Sequence, residues 1–320
     1  MSRWPHSDPS SPIGTAPDPC KHGGVVVVVT GANGFVGSRL CRALADRGVS
    51  VRALVRRPGA APALPGVAEQ VGDFADPDVA AAVLAGADAA VTTVHPMGSD
   101  ERVQRRVGVE GTTTFARAAA AAGVELLVHV STAAVYDRSP GVGDVDESAP
   151  LVGDDAGDYP VTKRDTDLAL ASVDGLTRVL LRPPAILGPG ESSIWNTLRP
   201  AVIREHEAAR HAAPGQSFAW VHVDDLVTLA ADVLTGRVAT SPGPSSGPVP
   251  DACTPVNVAA GPATVRDYYN TVTRAVGVTP VWDDQEAWTG RLLAKRAHRW
   301  GWTPTVALAQ ALEEIAAGLR

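Results

Sequence analysis

The chain has 320 residues, 45% hydrophobic and 20% charged, with a formal net charge of −7 at pH 7. That length accommodates one large α/β domain with an added lobe, and the acidic balance argues against a nucleic-acid partner. Cys20, Cys41 and Cys253 form neither a pair spacing nor a metal-ligand pattern, so no metal is expected and a reducing, cytoplasmic setting is the simplest reading.

Residues 1–23 are rich in Pro, Ser and Asp and lack an apolar core, which predicts a disordered tail rather than a signal peptide. The most apolar run, Val25 to Val29, is strand-sized, so no membrane span is expected. From there strand-like and helix-like segments alternate. Strands are predicted at Val25–Thr30, Val49–Val55, Val67–Val71, Ala87–Val94, Val124–Val130 and Leu176–Leu181. Helices are predicted near Gly34–Arg47, Pro77–Leu84, Asp100–Ala122 and Tyr159–Ser172. This is the pattern of a parallel sheet covered by helices. After Pro183-Pro184 the register changes. A helix is expected over Asn196–His211, then a strand at Phe218–Val221 and a helix that Asp224 or Asp225 would open and cap. Residues 237–251 form a Gly/Pro/Ser-rich stretch of the composition expected in a mobile loop. A strand at Pro255–Val258 and helices near Val265–Ala275, Gln285–Trp300 and Thr305–Leu319 complete the chain. The expectation is a Rossmann-type doubly wound parallel sheet over 24–182. Residues 183–320 would form a smaller substrate-binding lobe, with segments returning to the sheet.

Thr30-Gly31-Ala32-Asn33-Gly34-Phe35-Val36-Gly37 follows the first strand and opens a helix. Gly31 permits a sharp turn, Gly34 lets the backbone approach a pyrophosphate, and Gly37 lets helix pack on strand. A site reserved for NAD offers a carboxylate about twenty residues later. Here the second strand runs out in Val55-Arg56-Arg57-Pro58 with no acid. Arginine can pair instead with a 2′-phosphate. NADP(H) is therefore preferred as the expected cofactor, with NAD(H) open; otherwise Arg56 and Arg57 simply solvate the following loop.

Tyr159 and Lys163 stand four apart, on one face of a helix. A phenol with a reference pKa near 10 is a poor acid-base catalyst at neutral pH, and a neighbouring ammonium favours the phenolate. Lys163 could also hydrogen-bond the nicotinamide ribose. Thr132, ending the strand Val128-His129-Val130, could bond a substrate carbonyl and share its developing charge. A solvated helix face is the bland alternative for the Tyr-Lys spacing, countered by its place after a long helix-strand alternation.

These landmarks, in order, resemble the extended short-chain dehydrogenase/reductases, a group of nucleotide-sugar epimerases, dehydratases and several ketone reductases. They are TGANGFVG from Thr30, Gly72-Asp73, VEGT at Val109, VSTAAVY from Val130, YPVTK from Tyr159, LRPPAILGPG from Leu181 and WVHVDDL from Trp220. The resemblance implies that Thr132, Tyr159 and Lys163 are catalytic, and that Gly31, Asn33, Gly34, Phe35, Val36 and Gly37 hold the cofactor. It also implies that Asp73, with Phe74, meets the adenine, that Thr92, Thr93 and Val94 border the cofactor, and that Pro183 to Ile186 flank the nicotinamide. Two positions depart from the group: Gly108 and Ala185 stand where asparagine is frequent. The first removes a candidate member of the proton relay; the second moves the reading away from nucleotide sugars.

His95, Trp195 and Asn196 are candidates to line a substrate pocket, as is Trp220, against the alternative of loop residue or ordinary packing. His206 and His211, five apart, do not align as metal ligands on one helix face. The leading expectation is a ketone reductase or alcohol dehydrogenase acting on a small carbonyl or alcohol, with a homodimer left open. A nucleotide-sugar epimerase or dehydratase is the alternative, although Ala133 and Ala134 after Thr132 offer dehydration no carboxylate. A non-catalytic dinucleotide sensor would have no need of Tyr159 and Lys163 together.

Overall fold

The computed structural model describes residues 24–320; the expected tail lies outside them. Val26–Thr30 form β1, and all five residues are buried. A parallel strand covered on both faces has no solvent side, so a run of valines replaces the usual alternation. The chain continues through α1 (Phe35–Ala45), β2 (Ser50–Val55), β3 (Val67–Val71), α2 (Pro77–Leu84) and β4 (Ala89–Thr92). Asp76 caps α2, accepting from the Asp78 and Val79 N–H groups, with Pro77 at the first helical position.

The helical run that follows carries an interruption. α3 (Glu101–Gln104) widens into a π-turn at Arg105–Gly111 before α4 (Thr112–Ala121). Next come β5 (Leu126–Val130), α5 (Asp158–Ala171) and β6 (Thr177–Arg182). Beyond them lie β7 (Ala185–Leu187), α6 (Arg199–Glu205), β8 (His211–Ala212), β9 (Trp220–His222) and α7 (Val223–Leu234). β10 (Cys253–Asn257), α8 (Val265–Val276), β11 (Val281–Trp282), α9 (Lys295–Arg299) and α10 (Leu308–Gly318) follow. No helix among the described residues is long and apolar enough to cross a membrane.

Seven strands form one parallel sheet in the order β10-β6-β5-β4-β1-β2-β3. The order reverses between β1 and β4, which opens the crevice where sheets of this kind bind ligands. One apolar layer packs α1 and α7 on the sheet; a second, with Phe74, Phe115 and Leu170, covers the other face. A third core gathers Trp220, Phe218, Tyr268 and Ile315 around the pair β7–β9.

Three predicted features differ. The helix expected over Asn196–His211 is a π-turn at Ile194–Leu198, then α6, and it breaks at an extended His206. Arg210 reaches back to the Ile203 and Arg204 carbonyls, so a side chain takes the bonds that further helix would have made. Of the helix expected over Gln285–Trp300 only α9 forms. The preceding strap is extended: Val145 N–H donates to Arg291 O and Leu293 N–H to Val145 O, both at 2.8 Å. Asp224 and Asp225 do not cap α7; His222 does, its ring accepting from Asp224 N–H at 3.2 Å. Asp225, 3% exposed, instead accepts from Thr305 N–H, Thr305 Oγ1 and Val306 N–H at 2.7–3.1 Å. The 237–251 loop is braced by Ser241 N–H to Pro248 O and by Trp300 Nε1 to Pro244 O.

Asp225→Ala should therefore detach the start of the C-terminal segment, at about 0.5–1.5 kcal/mol for each hydrogen bond lost, since Thr305 is exposed and its donors can turn to water. The urea midpoint should fall, with protease sensitivity appearing around residues 303–307; a purely local cap would leave that segment protected.

Candidate active site

The β1–α1 turn is crowded backbone against backbone. Gly31 has φ +65°, and a Cβ there would stand 2.7 Å from Thr93 Oγ1. At Gly37 a Cβ would stand 2.2 Å from Gly31 O. Gly34, the residue before α1, has no side-chain cap, so the first N–H groups of the helix face the crevice without a protein acceptor among the described residues. This arrangement fits a dinucleotide phosphate. Asn33 is exposed on the turn, and Val36 is half-buried against the first core. The Phe35 ring turns the other way, lying under Arg39 and against Gly188 and Gly190.

At the outer end of the crevice Arg56 and Arg57 are exposed just past β2 and have no ion pair among the described residues. Asp73 is exposed beside them, one residue beyond Gly72, which bonds Val55 O. The Phe74 side chain is buried edge-on to Phe115, so only its backbone could meet a ligand. Thr93 Oγ1 donates to Thr30 O at 2.8 Å, tying the ends of β1 and β4, with Val94 half-buried beside Gly31. Pro183 O accepts from Ala133 N–H, and Ile186 pairs with Val221 in the small sheet.

Thr132, Tyr159 and Lys163 come together at the ends of β5 and α5. Gly157 enters α5 at φ +87°, Asp158 complements the helix dipole, and Pro160 sits in the first turn, where it removes no helical bond. Thr132 Oγ1 accepts from Ala134 N–H at 3.1 Å and lies close enough to Tyr159 to act on its phenol. Burial pushes the Tyr159 phenol above its ordinary value; Thr132 and the cation of Arg138 pull it down. Without ligand the phenol is thus a reservoir of protons rather than a phenolate.

Lys163 is 3% exposed, donates to Val130 O at 2.9 Å and lies 3.3 Å from His129 Nε2. Burial lowers its pKa to about 8, against the pull of Asp167. His129 in turn stands 2.7 Å from Thr92 Oγ1 and is held neutral, mainly by burial and then by the Lys163 charge. With Lys163 donating to Nε2, the His129 proton sits on Nδ1, facing Thr92.

His95 packs edge-on to the Tyr159 ring at 5.0 Å, with Nε2 3.3 Å from Gln104 Oε1. Its Nδ1 faces Gly108, where an added Cβ would be 3.5 Å away; the absent side chain at 108 makes this room. Burial, and then Lys163, bring the His95 pKa to about 4, so it is neutral at working pH. Trp195 packs edge-on to Phe218 and Tyr268 in the third core, and Trp220 is 1% exposed there. Asn196 braces the neighbouring loop by accepting from Gly188 N–H at 2.9 Å.

The sequence reading missed a buried network behind the site. Asp167, on the same face of α5 as Tyr159 and Lys163, accepts from Arg182 Nε at 2.9 Å. Arg182 Nη1 donates to Tyr136 OH, which donates to Asn257 Oδ1; Asn257 Nδ2 reaches Leu293 O on the strap. The spacing of Tyr159, Lys163 and Asp167 and an arginine ending a buried strand were the available signals.

The sheet, its glycine turn and the Tyr-Lys helix define the extended short-chain dehydrogenase/reductase class. The chain belongs to the NAD dependent epimerase/dehydratase family, which it matches over residues 27–243. It is 34% identical over 192 residues to a 3 beta-hydroxysteroid dehydrogenase/Delta 5-->4-isomerase of Mycobacterium tuberculosis, covering 56% of this chain and 52% of that one. A 2-alkyl-3-oxoalkanoate reductase of Stenotrophomonas maltophilia is 33% identical over 174 residues, 52% of this chain and 53% of that one. The chain spans about half the length of the curated relatives it matches. The fold is shared with WbmH of Bordetella bronchiseptica in complex with NAD+ (TM-score 0.74, 19% identity, 92% and 98% of the two chains covered). It is shared also with DesIV, a dTDP-glucose 4,6-dehydratase of Streptomyces venezuelae with NAD and TYD bound (TM-score 0.73, 24% identity, 92% and 96% covered).

The buried Lys163 has a pH signature. Its folded pKa of about 8 lies below the ordinary 10.5, so between those values the unfolded chain holds a proton the folded chain has released. Stability should therefore rise with pH across that window relative to Lys163→Met, measured as the difference in urea midpoints. A difference independent of pH would mean that burial does not penalise the ammonium.

Proposed function

We propose that the chain is an NADP(H)-dependent ketone reductase or alcohol dehydrogenase with Tyr159 as general acid and base. The observation that carries this reading is Tyr159 close enough to Thr132 for the hydroxyl to act on its phenol, one helical turn before the buried Lys163, where β5 runs out at the ligand-binding end of the sheet. A nicotinamide dinucleotide, when bound, supplies or accepts the hydride. Gly31, Gly34 and Gly37 leave backbone room for its phosphates, and Lys163 can meet its ribose.

Tyr159 gives its proton to the substrate carbonyl oxygen during reduction, or takes the alcohol proton in the reverse direction. Thr132 orients that oxygen and shares its developing charge. The raised phenol pKa suits the donor role, since the group is protonated before a carbonyl arrives. His95, uncharged and beside Tyr159, offers a neutral hydrogen bond at the rim of the site. The relatives named above as a dehydrogenase/isomerase and an oxoalkanoate reductase support a carbonyl or alcohol substrate. Arg56 and Arg57, exposed and in no ion pair among the described residues, support the choice of a 2′-phosphorylated cofactor.

Tyr159→Phe keeps the ring and loses the proton. Turnover of an authentic carbonyl substrate should fall by about 10²–10⁴, with cofactor affinity little changed. Near wild-type turnover would assign the proton to another group. Titration of cofactor fluorescence should show NADPH bound more tightly than NADH, with the preference largely erased in the Arg56→Ala, Arg57→Ala double variant. A wild-type preference for NADH of tenfold would overturn that choice.

A further inference from the structure

The segment 137–147, between Tyr136 and α5, carries four acids, and each has a partner. Asp137 accepts from Ser139 N–H and Oγ, and Asp144 is paired with Arg291. Asp146 accepts from Ser148 and lies 3.7 Å from Lys295, while Glu147 accepts from Asn257 N–H. Arg138, the only cation of that segment, has neither a carboxylate nor a hydrogen-bond acceptor among the described residues.

Its position is nonetheless fixed. The guanidinium lies over the Trp288 ring, 5.5 Å from the ring centroid. Trp288 is 4% exposed, donates from Nε1 to Gly143 O at 2.9 Å, and accepts at its carbonyl from Ser217 N–H at 2.9 Å. Arg138 is thus seated on a rigid aromatic floor rather than swung into solvent. It stands near enough to Tyr159 for each charge to act on the other, while burial lowers the guanidinium pKa with no carboxylate opposing it.

Arg138 is half-buried, and its nitrogens, which make no hydrogen bond among the described residues, still reach water, so the fork stands open to a ligand while the aromatic face holds it in place. The planar fork of arginine matches a carboxylate in two parallel hydrogen bonds. Arg138 follows β5, six residues after Thr132, and its charge acts on Tyr159, which sets where that anion sits: on the Tyr159 side of the crevice, with the reacting carbonyl. A diphosphate joined through a sugar ring stands several bonds farther from its reacting carbon.

We propose that Arg138 binds the carboxylate of the substrate, which is an oxo acid or hydroxy acid with that carboxylate close to the reacting carbon; this rests on the reductase reading above. The carboxylate takes no part in bond making. It remains paired with Arg138 while the neighbouring carbonyl accepts a hydride at carbon and the Tyr159 proton at oxygen.

The test compares a 3-oxoalkanoate with its methyl ester, using the full chain and NADPH. The acid should be preferred at least tenfold in kcat/KM. In Arg138→Gln the acid-to-ester ratio should fall at least tenfold, mostly through KM of the acid, and Arg138→Lys should keep part of it. A second measurement needs no turnover. With NADP+ present, tryptophan fluorescence is titrated with a 3-hydroxyalkanoate, its amide and inorganic phosphate. Only the carboxylate should give a saturable change, and Arg138→Gln should abolish it, with retained NADP+ binding as the control for folding.

An ester used as well as the acid, a parallel loss of both in Arg138→Gln, or phosphate bound more tightly than carboxylate would each overturn the assignment. Equal use of acid and ester overturns Arg138 and leaves the reductase reading standing. Carboxylate binding through Arg138 with no carbonyl compound turned over does the reverse. Neither binding nor turnover overturns both.

Discussion

The contact on which the site depends is the buried pair of Asp167 and Arg182, 2.9 Å apart and both nearly inaccessible. Burial raises the Asp167 pKa while Arg182 and Lys163 hold it down, so the carboxylate is tolerable only with those cations in place. Removing one partner of such a pair strands a charge in the interior and costs about 3–5 kcal/mol. The pair also has a geometric role. It fixes α5 to β6 on the face that carries Tyr159 and Lys163, and Tyr136 and Asn257 extend the connection to the strap. The strap holds Trp288, and Trp288 supports Arg138. Tyr159 and Arg138 thus share one continuous support.

At the opposite side of the crevice, support comes from the absence of side chains. Gly34 and Gly37 let α1 close on the backbone of the turn after β1, and Gly31 leaves room for the Thr93 and Val94 side chains at the end of β4. Gly108 does something related in the π-turn, where its missing side chain leaves the His95 ring its place against Tyr159. A π-turn displaces the residues after it from regular helical register, which is why such turns gather at functional sites.

What the sequence disclosed was local. Valines buried on both faces, a turn needing three glycines and a Tyr-Lys pair one helical turn apart are each written within about ten residues. What it concealed was contact between distant segments. Residues 285–300 present Trp288, Leu292 and Trp300 at spacings that suit a helix, yet Val145 claims their backbone across the fold. Asp225 sits where a cap belongs, and it serves Thr305 and Val306 some eighty residues away. Arg138 had no motif to announce it; it stands out only once Trp288 lies beneath it and no carboxylate among the described residues pairs with it.

One edge strand of the sheet, β10, is drawn from beyond residue 250, after the chain has left the sheet to build β7, α6 and α7. A polypeptide ending at Arg182 would leave β6, with its buried Val179, Leu180 and Leu181, as a bare edge ready to pair with another chain. In the folded chain that margin is covered by a strand whose Pro255 has no N–H to offer, and Arg296 of α9 bonds the Pro255 carbonyl. During synthesis, therefore, the nascent sheet carries a sticky margin for the time needed to translate some seventy further residues. The protein is exposed to misassembly in that interval, and the sheet is sealed only when the late strand arrives.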